Sequence, residues 1–265
     1  MRMAGPLYAL YTRRLRRRVA SSGPLPRHIG LIMDGNRRWA RQRGIANPSV
    51  GHRAGGEHVE DVLSWCDRLG IRHVTVFVCS TENLVRRDSA EVDFLMGLIE
   101  ELVGRRLARP DARRRLHVAG SLDALPDRTA RVLKEAVETT RDCPTGAHVT
   151  LAIGYGGRQE VVDALRELLH EQAQSGHTLD ELADRIDIDD VARHLYTAGQ
   201  PDPDLIIRTS GEQRMSNFLL WQGAHAELYF CEAYWPAFRE LDFLRAIRSY
   251  GARRSRPTAT AAPGR

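Results

Sequence analysis

IGLIMDGNRRWARQRG, residues Ile29 to Gly44, is the stretch on which the reading of this chain turns. It opens with an apolar run of strand length, Ile29 to Met33, then sets Asp34-Gly35-Asn36 at the strand end and moves straight into Arg37-Arg38-Trp39-Ala40-Arg41. Asp, Gly and Asn tolerate turn geometry and Asn is a good N-cap, so the order predicts strand, tight turn and helix start. A helix N-terminus offers unpaired N–H groups. An anion docked there meets amides, the positive end of the dipole and the neighbouring guanidinium groups together. Asp34 is the anomaly, because a carboxylate in an anion cradle is unfavourable without a cation beside it. Either Mg²⁺ bridges Asp34 to a phosphate group, or Asp34 caps the helix and the arginines form a solvated face.

Strand-then-helix recurs down the chain. A helix is expected over Gly51 to Leu69 after a loop at NPSVG, and HVTVFV (His73 to Val78) then reads as a strand ending in CSTENLVRR. Asp88 to Ala108 carries a broad aliphatic stripe at helical spacing, LHVAG is a short strand, and Leu125-Pro126-Asp127 opens another helix. HVTLAIGYGGRQE repeats the pattern of strand, glycine turn and helix. DLIIR (Asp204 to Arg208) and ELYF (Glu227 to Phe230) supply two more strands, and Phe238 to Tyr250 a last helix. Such alternation, with connections long enough for helical crossovers, predicts an α/β fold with a mostly parallel sheet covered by helices. In open sheets of this kind ligands gather at the carboxyl ends of the strands. Asp34, Ser80-Thr81-Glu82-Asn83, Gly154-Tyr155-Gly156-Gly157 and Arg208 all occupy such ends.

The chain has 265 residues, is 42% hydrophobic and carries a formal charge of +5, which suits anionic partners without choosing among them. No apolar run reaches the roughly 18 residues a membrane span needs, and the N-terminus lacks a secretory pattern. Cys66, Cys79, Cys143 and Cys231 are scattered, with no CxxC pair, which favours reduced thiols in a cytoplasmic protein over a metal finger or redox centre. LYALYTRRLRRRVA, residues 7 to 20, reads as an amphipathic helix with a cluster of arginines. It serves either membrane-surface or nucleic-acid attachment, or simply packs on the domain with its basic face exposed. No recognised nucleic-acid motif accompanies it, so nucleic acid is not an expected partner. The expected organisation is a basic helix and linker over 1–25, a catalytic domain over 26–251 and a flexible tail over 252–265.

IRTSGEQRMSNFLLWQGAHAELYF, from Ile207 to Phe230, forms a second dense stretch. Arg208 and Arg214 flank a Ser-Gly turn with Ser216 just beyond: two forked donors, a hydroxyl and exposed amides suit a diphosphate. Glu227 is either a second oxygen ligand for Mg²⁺ or an arginine partner. The P-loop pattern is absent, GYGGRQ does not satisfy GxGxxG, and no DDxxD pair exists; the nearest candidate is Asp189-Asp190.

MDGNRRWA, GHRAG, STEN, YGGR, IRTSGEQRMSNFLLWQ and ELYF, in this order, resemble the motif series of the cis-prenyltransferases, the undecaprenyl diphosphate synthase family. The resemblance runs from about His28 to Tyr250. It implies a single domain with a six-stranded, largely parallel sheet surrounded by helices, acting as a homodimer. Members of this family extend an allylic diphosphate with isopentenyl diphosphate and create a Z double bond. The resemblance is closest to the short-chain Z-farnesyl diphosphate synthases, which also carry an N-terminal helix like PLYALYTRRLRRR. A short product, such as (2Z,6E)-farnesyl diphosphate made from geranyl diphosphate, is therefore expected. A longer-chain synthase, irregular branched coupling and a non-catalytic scaffold subunit are the alternatives. The scaffold relatives lose catalytic residues that this chain keeps.

Carried over by motif, the resemblance implies that Asp34 holds Mg²⁺ and assists ionisation of the allylic diphosphate, with Glu227 as a second carboxylate near the metal. It implies that Gly35, Asn36, Arg37 and Arg38 cradle the allylic diphosphate and that His52 and Asn83 line the reaction centre. Arg208, Arg214 and Ser216 would clamp isopentenyl diphosphate, while Trp39, Ser80, Thr81, Glu82 and Arg86 join the substrate-binding set. His52, Asn83 and the departing diphosphate are all candidates for the proton lost in the reaction. The aliphatic stripe of the Asp88 helix, with the Gly51 helix, would wall a prenyl tunnel. Two departures stand out: NPSV replaces a basic residue often found before the GH pair, and Val78 occupies a chain-length position that is small in long-chain members.

Overall fold

β1 (His28–Ile32) lies inside a sheet ordered β3-β4-β2-β1-β5-β6, the other strands being β2 (His73–Ser80), β3 (Arg115–Ala119), β4 (His148–Tyr155), β5 (Leu205–Arg208) and β6 (Glu227–Phe230). The computed structural model describes residues 5–21, 23–109 and 113–255. Every strand pairing in the sheet is parallel. All five residues of β1 are buried: Ile29 to Ile32 come from the apolar run that a strand covered on both faces requires, and His28 is hydrogen-bonded at both ring nitrogens. From β1 the chain builds β2, β4 and β3 to one side and β5 and β6 to the other. The carboxyl end of β1 is thus the topological switch point, where the crevice of such a sheet opens.

The helices before β3 are α1 (Pro6–Ser21), α2 (Asn36–Gln42), α3 (Pro48–Arg68), α4 (Thr81–Arg86) and α5 (Ser89–Leu102). After it come α6 (Asp127–Thr139), α7 (Gly157–Gln174), α8 (Leu179–Arg185), α9 (Ile188–Ala192) and α10 (Glu240–Arg254). One core face of the sheet packs Val62, Leu95, Leu133, Phe243 and Ile247 from the helices against Ile29, Leu31, Val74 and Val76. The other packs Phe218 and Leu219 against Ile32, Tyr155 and Ile206. Gly30 is needed there, since a Cβ would stand 3.1 Å from both Ile206 and Phe218.

Several expected boundaries shift for local reasons. NPSV is not a loop. Asn47 caps α3 by accepting from the Ser49 amide (2.9 Å), and Pro48 fills the first helical position, where its missing N–H costs nothing. The helix expected to Ala108 is α-helical only to Leu102, then widens into a π-turn over Val103–Leu107, closed by the Ala108 amide on the Val103 carbonyl (2.8 Å). The last helix begins at Glu240 and continues to Arg254; residues 256–265 of the expected tail lie outside the described residues. α8 and α9 were not anticipated, although Thr178/Glu181 and Asp187/Asp190 form capping boxes that the sequence carries as TxxE and DxxD. The Asp189-Asp190 pair is therefore part of a helix start. α1 is no separate appendage, because its Leu15 and Val19 enter the main core.

At the amino end of the sheet, His28, His73 and His148 open β1, β2 and β4 side by side in register. The His73 and His148 rings stack at 4.5 Å and 4°, and His117 Nε2 lies 2.9 Å from His148 Nδ1. Burial first, then mutual repulsion, pushes His73 and His117 down to about 4; burial also lowers His28 and His148. These imidazoles stay neutral in the folded state while the unfolded chain takes up protons near the ordinary 6.5. Stability is therefore expected to fall as pH drops from about 6.5 to about 4. The urea midpoint across that window should decline in the parent and decline less in His73→Gln/His117→Gln. Parallel slopes would rule the ladder out as the cause.

Candidate active site

Asp34 leaves β1 with its amide donating to Thr209 Oγ1 (3.0 Å), which ties it to the chain leaving β5. Gly35 follows at φ 104°, and a Cβ there would stand 2.7 Å from Tyr234, so both conformation and space demand glycine. Gly35, not Asp34 or Asn36, is the N-cap of α2, and it makes no side-chain cap. The bland reading of Asp34 as a cap is thereby removed. Its carboxylate instead accepts from Arg208 Nη2 at 2.7 Å on one oxygen and from Arg38 Nη2 at 3.2 Å on the other.

Burial alone would raise the Asp34 pKa. The hydrogen bond and charge of Arg208, aided by Arg38, outweigh it and hold the carboxyl below its ordinary value. Arg208 is buried at the end of β5, and its other terminal nitrogen donates to the Arg214 carbonyl and to Ser216 Oγ, both at 2.6 Å. Its Nε has no partner among the described residues. Arg38 also bonds Ser210 Oγ (2.7 Å) and Glu212 (3.1 Å), and Arg214 pairs with the same Glu212. Asp34, Arg38, Arg208, Arg214 and Ser216 therefore form one connected network, with the arginines resting on internal carboxylates that a diphosphate can replace.

The loop that completes this network is held in uncommon backbone geometry. Ser210, Ser216, Asn217 and Leu219 all have positive φ, and they are the only non-glycine residues among those described that do. Such conformations persist where the surroundings over-determine them, as at binding sites. Asn217 fastens the loop: it donates to Glu82 (3.0 Å) and accepts from the Arg158 amide (2.9 Å). Glu82, which also accepts from Thr81, thus ties the STEN segment to this loop, and Ser80 caps α4 by accepting from the Asn83 amide (3.1 Å). Asn83 is half-buried on that helix. Trp39 is half-buried beneath Arg43, 4.0 Å from its ring, and Arg37 is exposed.

Beside α2, between α3, α5 and the sheet, lies a cavity of about 110 Å³ lined by Met33, Asn36, His52, Val78, Leu98 and Ile153 among others. The aliphatic stripe of α5 does wall it, through Leu95, Leu98, Ile99 and Leu102. Gly56 lets α3 close on α5, since a Cβ would meet Leu102 at 2.5 Å. Val78 reaches this cavity by a particular device. Phe77 pairs with Ala152 and Cys79 with Ile153, leaving Val78 as the extra residue of a β-bulge. A bulge re-aims a side chain that a regular strand would send elsewhere.

The rim of the cavity holds a charged group that the sequence did not flag. His52 Nε2 lies 2.9 Å from Glu91, which also faces Arg87 (3.6 Å) and Arg37 (3.7 Å). Burial, ahead of the repulsion from Arg87 and Arg37, keeps the imidazole neutral at pH 7 against the pull of Glu91. Arg86 is exposed; the arginine at the cavity is Arg87, whose Nε and Nη1 are buried without a hydrogen-bond partner among the described residues. The 3.6 Å to Glu91 is an ion pair too long to satisfy a hydrogen bond. The Oδ1 of Asn36 is likewise buried and unpartnered.

Glu227 is the residue the structure does not bring in. It opens β6 level with Leu205, three residues and about 10 Å below Arg208 at strand spacing, and it pairs with Arg253 (2.8 Å). The arginine-partner alternative holds within the chain, because a residue preceding a parallel strand lies at the end opposite the crevice. Among the described residues no group of three or more His, Cys, Asp or Glu could enclose a metal ion. One half-buried carboxylate among arginines suits instead a hard cation that keeps water and takes substrate oxygens, as Mg²⁺ does.

Comparison with known proteins gives the family and the fold. The undecaprenyl diphosphate synthase family model (Prenyltransf) matches residues 32–258. The chain is 72% identical over 257 residues to an isoprenyl transferase of Streptomyces fradiae, covering 97% of this chain and 99% of that one. It is 57% identical over 251 residues to a (2Z,6E)-farnesyl diphosphate synthase of Thermobifida fusca, covering 95% and 96% respectively. Among solved structures it resembles the lavandulyl diphosphate synthase of Lavandula x intermedia in complex with dimethylallyl diphosphate, with TM-score 0.78 and 33% identity over 88% of this chain and 97% of that one. The chain belongs to the undecaprenyl diphosphate synthase family, and is thus an enzyme of the cis-prenyltransferase class.

Proposed function

We propose that this enzyme joins isopentenyl diphosphate to a short allylic diphosphate, preferentially geranyl diphosphate, and releases a short Z-prenyl diphosphate of the (2Z,6E)-farnesyl type. The observation that carries the reading is the Asp34–Arg208–Ser216 network set against a small apolar cavity. Relatives named as (2Z,6E)-farnesyl diphosphate synthases support the product class. The allylic diphosphate lies at the start of α2, where first-turn amides, Arg37 and Arg38 receive it and its tail enters the cavity past Asn36. Arg87 supplies the extra cation that the NPSV segment lacks, its unpartnered N–H groups at the cavity rim turned to account. Isopentenyl diphosphate sits on Arg208, Arg214 and Ser216, so its alkene faces the allylic carbon. Mg²⁺, when bound, would neutralise charge building on the departing diphosphate, with Asp34 as its protein ligand. The residues do the rest: the arginines stabilise that same charge in a water-poor site, the alkene attacks as the C–O bond breaks, and the proton from C2 passes to the departing diphosphate. We further propose a homodimer that uses the open edge strand β6 and the groove beside it, lined by Tyr229, Phe230 and Phe238.

The size of the cavity and the placement of Val78 support a short product. The apolar cavity is small, about 110 Å³, and is walled by aliphatic side chains of α5, which favours a short tail over a long one. Val78, β-branched and stiff, also lines it. Val78→Ala is expected to shift products toward longer chains at similar turnover. The deciding experiment is incubation of the parent with labelled isopentenyl diphosphate and dimethylallyl, geranyl or farnesyl diphosphate in turn, reading chain length and double-bond geometry. Products of fifty carbons or more from the parent would defeat the short-chain reading; a branched product from dimethylallyl diphosphate would replace it with irregular coupling.

A further inference from the structure

α1 offers one face to the domain and another to its surroundings. Thr12, Leu15 and Val19 are buried against the body. Arg16 bonds Glu240 at 3.0 Å, a carboxylate that Arg68 also holds at 3.1 Å, and Arg239 lies 5.9 Å from the Tyr8 ring. At about 100° per residue, the outward side carries Leu7 and Leu10 in its first turns and Arg13, Arg14 and Arg17 in its later ones, with Tyr11 and Arg18 on its flank. Leu7 is 83%, Leu10 53% and Tyr11 50% exposed, and Arg13, Arg14, Arg17 and Arg18 are exposed as well. The helix contains no acidic residue.

Burial in this domain accounts for none of these outward residues. Single exposed leucines are ordinary, but three adjoining apolar side chains continuing into a run of arginines on and beside one helix face are not. A nucleic acid would satisfy the arginines and leave the leucines and tyrosine in water. A bilayer interface satisfies both, since apolar side chains enter the acyl boundary while guanidinium groups meet anionic headgroups. No helix among the described residues is long and apolar enough to cross a membrane, so the contact is peripheral. We propose that the outward face of α1 docks the enzyme on a bilayer carrying anionic phospholipids, the helix axis lying in the membrane plane. This inference is independent of the catalytic assignment, because none of its residues touches the Asp34 network.

The test is sedimentation of the full chain with vesicles of phosphatidylcholine and phosphatidylglycerol at 7:3, against vesicles of phosphatidylcholine alone. Binding to the anionic vesicles is expected to be at least tenfold tighter and to weaken in high salt. Each arginine near such a surface contributes roughly fivefold, so Arg14→Gln/Arg17→Gln/Arg18→Gln should lower partitioning on the order of a hundredfold. Leu7→Ser/Leu10→Ser should also lower it at least tenfold. Both variants should retain parental turnover in vesicle-free assay, which shows that they fold. The proposal is overturned by equal binding to both vesicle types, by variants that partition like the parent, or by tight binding of duplex DNA without vesicle binding.

Discussion

Replacing Asp34 by alanine is expected to lower turnover by on the order of a hundredfold or more, with the loss constant across the neutral range. The constancy follows from the sign of its shift. The carboxyl pKa is depressed, so the group is ionised throughout the neutral range. The same substitution carries a structural penalty that must be separated from the catalytic one. Arg208 is only 4% exposed and would lose its carboxylate partner. Breaking a buried pair this way costs about 3 kcal/mol, here toward the lower end because Asp34 is partly exposed. That stability difference should persist above the ordinary carboxylate pKa and vanish as pH falls through the depressed one. Asp34→Asn keeps the shape and can still accept from Arg208, so it should fold more stably than the alanine variant yet remain as inactive. Near-parental turnover in either variant would take Asp34 out of the chemistry.

The stretch from Ile29 to Gly44 could be read so far because local and global demands coincide there. The apolar run from Ile29 is what a strand buried on both faces needs, and the glycine after Asp34 is dictated by a positive φ. The grouping of Arg208 with Ser216 and the Arg214 backbone was legible for a similar reason: the three are close in sequence, so one short loop brings them together. Glu227 was open between a metal ligand and an arginine partner, and within the chain it pairs with Arg253. Its position before the last strand was visible, and in a parallel sheet that places it at the far end from Arg208; strand polarity should have outweighed its proximity in sequence to the clamp. Arg87 and Glu91 were harder to see. Which of two adjacent arginines enters a cavity depends on where α4 ends, and helix ends are poorly fixed by composition. The bulge at Val78 left no local signature, because it is compensated one strand away by the extra residue Gly154 in β4, between Ile153 and Tyr155.

Arg208 and Arg214 were equivalent as residues in a motif, and the structure makes their expected defects different. Arg214 pairs outward with Glu212, and its side chain is 63% exposed. Arg214→Ala should leave kcat nearly intact and raise the KM for isopentenyl diphosphate, since a charge-assisted hydrogen bond worth roughly 1.5–3 kcal/mol corresponds to about ten- to a hundredfold. Arg208 joins the same clamp but also holds Asp34 and braces the loop through Ser216 and the Arg214 carbonyl. Arg208→Ala should therefore raise that KM and lower kcat together, and its effect should be strongly non-additive with Asp34→Ala, since the two share one contact. Arg208→Lys should recover little, because a single ammonium cannot span Asp34 and Ser216 as the planar fork does. Two outcomes would redraw the site. If only the KM for the allylic substrate moves, the two diphosphate positions are exchanged; if the Asp34 and Arg208 effects simply add, the network joining them is not what organises the reaction.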